Sequence, residues 1–331
     1  MWVDIHPGDA RAGVVALTGA TGFIGGRLAR RLRSAGWQVR VLVRPAANTA
    51  SLAGLGVQQL KGDLEDQESL QRLVADTYAV IHCAGTVRGV TPAQFNRINV
   101  EGVARLARAA VSQRPRFLLL SSLAAREPGL SPYAASKQQG EQALVAEAGE
   151  MPWVALRPPA VYGPGDRELL PLFQWMGRGI VPVLGSVGAR FSLLYVDDLA
   201  AAVLQWLHQP QGVSGIFELH DGHAGGYSWD EVVAIASVLR ARHIRRVPIP
   251  ALLLRLLAGL SVSISRLGGY APMLTPGKVR ELRHPDWVCD NVAISRALAW
   301  TPQVELAEGL RRTLGWGEGK GKGKGQVPES G

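Results

Sequence analysis

Cysteine is nearly missing from this chain, with only Cys83 and Cys289 among 331 residues. Two thiols cannot build the disulfide framework of a small secreted domain, and no C-x-x-C or H-x-x-x-H spacing occurs, so a structural metal site is not expected. Long hydrophobic runs are lacking as well. The most apolar stretch, 249–265, is interrupted by Arg255 and falls short of the about 20 residues a membrane span needs. Charge is sparse, at 19% of residues against 47% hydrophobic, which excludes a disordered chain. The 39 glycines and 20 prolines follow no triplet period, which excludes collagen. The first residues, MWVDIHPGDARAG, carry Asp4 and no apolar core of signal-peptide length, so a cytoplasmic location is expected.

What charge there is leans basic, with a net of +9. The Gly/Lys tail 315–331 holds three Lys and two Glu, so it supplies +1 and the body keeps +8. No zinc finger, basic zipper or RNA-binding aromatic signature accompanies the excess, which argues against nucleic acid as a partner. A small anionic ligand or an anionic membrane surface stays open.

Apolar runs at 14–17, 79–83 and 117–120 read as buried strands, with 38–43 and 153–157 as further strands, separated by helical stretches at 27–35 and 100–111. Alternating strands and helices predict an α/β fold, a Rossmann-type doubly wound parallel sheet. From Pro158 the rhythm breaks, and helices are expected around 169–178 and 198–208. The expected organisation is a dinucleotide-binding domain over 1–165, with 191–222 returning to it. A smaller, mostly helical substrate lobe takes 166–190 and 223–314, and a flexible tail takes 315–331.

Three constellations carry chemistry. Thr18-Gly19-Ala20-Thr21-Gly22-Phe23-Ile24-Gly25 lies between the first strand and the first helix, where glycines let a pyrophosphate approach the backbone at a helix N-terminus. At the tip of the second strand stands Arg44 with no acid beside it. An arginine there can pair with a 2′-phosphate that a carboxylate would repel, so NADP(H) is favoured and NAD(H) is the alternative. Third, Tyr133 and Lys137 are four residues apart on a predicted helix, below Ser121 and Ser122 at the end of a strand. A cation near the phenol favours its phenolate, and Ser122 can bond the same substrate oxygen.

On these residues the chain resembles the extended short-chain dehydrogenase/reductases of the epimerase/dehydratase superfamily. The likeness runs from Val14 to Trp316 and also takes in Gly62-Asp63-Leu64, His82-Cys83-Ala84-Gly85, Asn99, and Arg157-Pro158 with Val161 to Asp166. It implies hydride transfer on a secondary alcohol or ketone, with catalysis by Ser122, Tyr133 and Lys137. Asn99 is either part of a proton relay or a capping amide. The implied cofactor contacts are the glycine turn (Gly19, Thr21, Gly22, Phe23, Ile24, Gly25), Arg44, Asp63, Leu64, Cys83, Ala84, Gly85, Tyr133, Lys137 and Pro158. Cys83 is expected to pack rather than react. Ser122 and Tyr133 are closer together than in sugar epimerases, so the substrate mouth is expected to differ.

Substrate signals diverge. Arg190 matches a diphosphate-binding position of sugar-nucleotide enzymes, and Tyr162 and Thr86 are further candidate substrate contacts. The apolar segment 249–265 and the stretch Pro285 to Asp290 point instead toward the hydroxysteroid dehydrogenase, hopanoid-associated and dihydroflavonol reductase branches. The preferred reading is an oxidoreductase for a bulky sterol-, terpenoid- or hopanoid-like substrate. The alternatives are an NDP-sugar epimerase, dehydratase or reductase, and a non-catalytic cofactor-binding scaffold. Arg240, Arg242, His243, Arg245 and Arg246 precede the apolar segment, so 240–265 is a candidate for peripheral membrane contact. The simpler expectation is that Leu252 to Leu260 cover the lobe's own core. The resemblance implies a homodimer.

Overall fold

Seven parallel strands form the central sheet of the computed structural model, which describes residues 13–186, 188–209, 213–268 and 271–316. The leader 1–12 and the Gly/Lys tail beyond Trp316 lie outside the described residues. In chain order the first half runs β1 (Val14–Thr18), α1 (Phe23–Ser34), β2 (Gln38–Val43), β3 (Gln58–Lys61), α2 (Gln67–Val74), β4 (Thr77–His82), α3 (Pro92–Asn99), α4 (Glu101–Ala110), β5 (Arg116–Leu120), α5 (Pro132–Ala148) and β6 (Trp153–Arg157). The second half runs β7 (Ala160–Tyr162), α6 (Leu170–Gly177), β8 (Ile180–Val183), β9 (Arg190–Phe191), β10 (Leu193–Tyr195), α7 (Val196–His208), β11 (Gly215–Glu218), β12 (Tyr227–Ser228), α8 (Trp229–Arg240), β13 (Arg245–Pro248), α9 (Ala251–Gly268), α10 (Pro276–Arg283), β14 (Asp286–Trp287), α11 (Val292–Leu298) and α12 (Leu306–Leu314).

The sheet order is β11-β6-β5-β4-β1-β2-β3. The order reverses between β4 and β1, and the crevice at that switch point is where such sheets bind ligands. Strand periodicity separates two cores. Val15 and Leu17 face Leu28 and Leu32 of α1 and Leu199, Val203 and Trp206 of α7. Ala16, Phe117 and Leu119 face Leu70 and Leu73 of α2, Leu106 of α4 and Leu144 of α5. Burial on both faces explains why these strands read as continuous apolar runs.

The expected helix over 100–111 is α4 (Glu101–Ala110), and a separate helix, α3, precedes it. Thr91 caps α3 with a capping box completed by Gln94, Pro92 follows the cap, and the chain breaks at Val100 before α4 begins. Asn99 is thereby the last, buried residue of α3. The expectation for Leu252 to Leu260 is also corrected. Only Leu254 and Ala258 of that stretch are buried, while Leu252, Leu253, Leu256, Leu257 and Leu260 are exposed. Among the described residues no helix is long and apolar enough to cross a membrane.

Candidate active site

Local backbone geometry builds the mouth of the crevice. Gly19 has φ +74°, and a Cβ there would come within 2.6 Å of Ala84 N and 2.7 Å of Cys83 C, so only glycine lets the turn pass under the end of β4. A Cβ at Gly25 would lie 2.2 Å from Gly19 O, so the second glycine seats α1 against the turn. Gly22 is the α1 N-cap, offers no side chain to the first-turn amides, and is exposed together with Thr21. Phe23 and Ile24 open the helix half-buried, and the first turn holds no acid. Uncapped amides at an exposed helix start suit a pyrophosphate.

Beneath the turn, Ala84 N donates to Thr18 Oγ1 at 3.2 Å, and Thr18 Oγ1 is 2.8 Å from His82 Nδ1. His82 is fully buried, and burial, aided by the Lys137 charge, pushes its imidazole down to about 3, so it is a neutral packing residue. Burial likewise pushes the Cys83 thiol up to about 12, which leaves it protonated and unreactive. Arg44 is exposed just beyond β2. Gly62 N bonds Val43 O at 3.0 Å, which sets Asp63 beside the β2 tip. The Leu64 side chain is buried in the core, so any contact it makes with a nucleotide falls to its backbone.

At the end of β5, Ser122 caps a short turn at Leu123–Arg126, and its hydroxyl also bonds the Tyr133 phenol. The buried Pro158 accepts from Leu123 N at 2.8 Å and ties this turn to the end of β6. Tyr133 sits in the first turn of α5, which Ser131 caps and Pro132 opens. Burial raises the phenol to about 12, the Ser122 bond opposes this, and Glu281 reinforces it. Lys137, one turn on, donates to Leu120 O at 3.0 Å, and burial lowers its ammonium to about 8. A Cβ at Gly85 would lie 3.2 Å from Asn99 Oδ1 and 3.4 Å from Lys137 Nζ, so these three positions converge.

Asn99 makes three hydrogen bonds. Its Nδ2 donates to Thr86 O at 3.0 Å and Ser136 Oγ at 2.9 Å, while its Oδ1 accepts from Thr86 N at 2.9 Å. It fastens the loop after β4 to α5. Thr86 also commits its hydroxyl proton, to Arg88 O at 2.8 Å.

Two substrate expectations are corrected. Tyr162 is fully buried, packed edge-on to Phe173 and Tyr195, and a Cβ at Gly309 would strike its hydroxyl, so it is a core residue of the C-terminal lobe. Arg190 spends its guanidinium on Gly225 O and Gly226 O, both at 2.6 Å, with Glu231 at 3.4 Å. Two of its guanidinium nitrogens close the turn that leads into the β9–β12 pairing, so in this arrangement it is engaged with backbone carbonyls.

A cavity of about 280 Å³ opens beside Tyr133, walled by Val87, Val90 and Phe95 on one side and by Val262, Pro272 and Met273 on the other. Its charged groups, Lys278, Arg280 and Glu281, come from α10. Lys278 bonds Glu281 at 2.9 Å, and Glu281 accepts from the hydroxyl of Ser131, the cap of α5. Sequence reading missed Lys278, Glu281 and Ser131 as site residues. Ser131-Pro132 was legible as a helix start, but nothing local announces a contact from α10.

With this geometry in view, the comparisons with known proteins are consistent. A model of the NAD dependent epimerase/dehydratase family matches residues 15–219. Ceramide reductase of Caulobacter vibrioides is 40% identical over 93% of this chain and 95% of its own. The 2-alkyl-3-oxoalkanoate reductase of Stenotrophomonas maltophilia is 28% identical over 90% of this chain and 97% of its own. The solved UDP-glucose 4-epimerase of Thermotoga maritima, with UDP-glucose, superposes at a TM-score of 0.70 over 91% of this chain and 97% of that one, at 21% identity, a likeness of fold. The chain belongs to the NAD dependent epimerase/dehydratase family and is an NAD(P)-dependent enzyme of the extended short-chain dehydrogenase/reductase type.

Proposed function

We propose that this enzyme uses NADPH to reduce a ketone on a long-chain lipid to a secondary alcohol, with Tyr133 as the proton donor. The observation that carries this reading is the site's composition: the Tyr133 phenol, bonded by Ser122, borders a cavity with an apolar wall of Val87, Val90, Phe95, Val262 and Met273, and with Lys278, Arg280 and Glu281 also lining it. The residues of the glycine turn would hold a dinucleotide, which would supply the hydride. The chain's part is to hold the carbonyl oxygen between the Ser122 hydroxyl and the Tyr133 phenol and to pass the phenolic proton to it. Lys137 then supplies positive charge one helical turn from the phenolate left behind.

Within the apolar class, the 40% identity to a ceramide reductase and the similarity to a 2-alkyl-3-oxoalkanoate reductase favour an acyl-chain lipid over a fused-ring sterol, terpenoid or hopanoid. Arg44 at the tip of β2, a strand that itself carries no acid, supports NADPH. The test is NADPH oxidation with ceramide-type and 3-oxoacyl ketones in mixed micelles. Turnover should appear with these and fall by about a hundredfold or more in Tyr133→Phe, with NADPH affinity kept. Full activity in Tyr133→Phe would remove the assigned mechanism.

A second reading, an NDP-sugar epimerase, draws support from the fold it shares with the UDP-glucose-bound epimerase. The commitment of Arg190 to Gly225 and Gly226 counts against it. Turnover of UDP-glucose without turnover of lipid ketones would select it.

A further inference from the structure

A large apolar surface lies outside the cleft. On α9, Leu252, Leu253, Leu256, Leu257, Leu260 and Ile264 are exposed, Leu252 at 68% and Leu256 at 62%. Successive helix residues turn by about 100°, so these six share one arc of about 140°. Leu254, Ala258 and Ser265 are buried on the opposite side and fasten the helix to the lobe. An isolated molecule in water seldom leaves so continuous a stripe uncovered.

The segment that leads into the stripe is basic. Arg255 is exposed on α9 itself, and the segment feeding the helix carries the exposed Arg240, Arg242, His243, Arg245 and Arg246. Asp230 offsets part of this through an ion pair with Arg246. Leucines flanked by guanidinium groups are complementary to an anionic bilayer, with the apolar arc in the acyl boundary and the arginines at the phosphates. A second copy docked face to face about a two-fold axis would instead bring two Arg255-bearing helices together, which opposes self-association.

We propose that the outer face of α9 docks this protein on an anionic phospholipid bilayer, and that α9 also guides the lipid into the cleft. The helix is placed for both tasks, since Val262 walls the cavity that Tyr133 borders. Guidance rests on the lipid-ketone reading, whereas docking stands on the α9 face and its charge alone.

The experiment is flotation of the full chain with vesicles of phosphatidylcholine, with and without phosphatidylglycerol, at low and high salt. The protein should float with the anionic vesicles at low salt, less at high salt, and little with phosphatidylcholine alone. The triple variant Leu252→Gln, Leu256→Gln, Leu260→Gln should lose about tenfold or more in vesicle partition with an unchanged melting temperature, because these side chains are already in water. Its kcat/KM should fall for a lipid ketone presented in vesicles and stay level for a short water-soluble ketone. A wild-type protein that stays at the bottom of the gradient overturns docking. So does a variant that floats equally well, or a wild-type dimer in solution that the variant dissociates. If the protein floats but turns over no lipid ketone in micelles, the functional reading fails and docking holds.

Discussion

The Lys278 ammonium lies 5.8 Å from the centroid of the Tyr133 ring, held there by its bond to Glu281. The C-terminal lobe thus contributes a cation to the residue on which the proposed chemistry depends. A cation at this distance from an aromatic face contributes about 0.5–1 kcal/mol when partly exposed, equivalent to about two- to fivefold in rate.

Lys278→Met should therefore lower kcat by about two- to fivefold while leaving NADPH affinity unchanged, since α10 does not touch the glycine turn. Lys278→Arg should restore most of the loss, because a guanidinium keeps the charge. Steady-state kinetics with separately measured NADPH binding distinguish this from damage to the fold. Equal activity in all three proteins would leave Lys278 as a partner of Glu281 only.

The two titrating groups of α5 are shifted in opposite directions, and the order of their proton loss follows. Burial lowers Lys137 from its ordinary 10.5 to about 8 and raises Tyr133 from 10.0 to about 12. As pH rises through about 8, Lys137 loses its charge while the phenol still holds its proton. Ketone reduction should decline on an alkaline limb near pH 8, and Lys137→Arg should move that limb upward, since a guanidinium stays protonated. The same shift has a stability consequence of definite sign. Between about pH 8 and 10.5 the unfolded chain binds more protons at Lys137 than the folded one, so this residue contributes stability that grows with pH across that window. An alkaline limb unmoved in Lys137→Arg would assign the titration elsewhere.

Cofactor choice turns on Arg44. Hydrogen bonds to charged groups contribute about 1.5–3 kcal/mol, so Arg44→Ala should weaken NADPH by about tenfold or more and NADH by much less. Isothermal titration with both nucleotides measures the difference, and equal losses would take the 2′-phosphate role away from this side chain.

The parts of the fold legible in sequence are those whose burial is one-dimensional. β2 and β6 keep the bounds 38–43 and 153–157 because the apolar residues of Val39 to Val43 and Trp153 to Leu156 are mostly buried in the sheet. β3, with Gln58, Gln59 and Lys61 exposed at the sheet edge, carries no such signal. The glycine turn and the Ser122, Tyr133 and Lys137 set are local in sequence or tied to a strand end, and the structure brings them to one crevice. Lys278 and Glu281 reach the site from α10, and Ser131 meets Glu281 across 150 residues, a distance over which no periodicity speaks. Arg190 and Tyr162 mislead for a different reason: a matching position does not reveal where a side chain's hydrogen bonds or volume are used. The leucines of α9 look alike in sequence whether they face core or solvent, and the anchoring of Leu254 and Ala258 decides the phase.

Under the site, Glu141 holds Arg157 through two bonds of 2.9 and 2.6 Å and accepts from the Ser121 hydroxyl. Glu141 is buried, so removing its cation strands a carboxylate in the interior, a loss of about 3–5 kcal/mol. Arg157→Met should destabilise by about that amount in denaturant unfolding. Glu141→Gln with Arg157→Met should recover much of it, because a neutral amide can still meet Ser121 without carrying a charge. The expected coupling between the two substitutions is thus large and favourable. Its effect should extend to catalysis through Lys137, whose ammonium Glu141 raises while burial lowers it. In Glu141→Gln the alkaline limb should move below about pH 8. A double variant as unstable as Arg157→Met alone would mean that packing volume, and not the stranded charge, accounts for the loss.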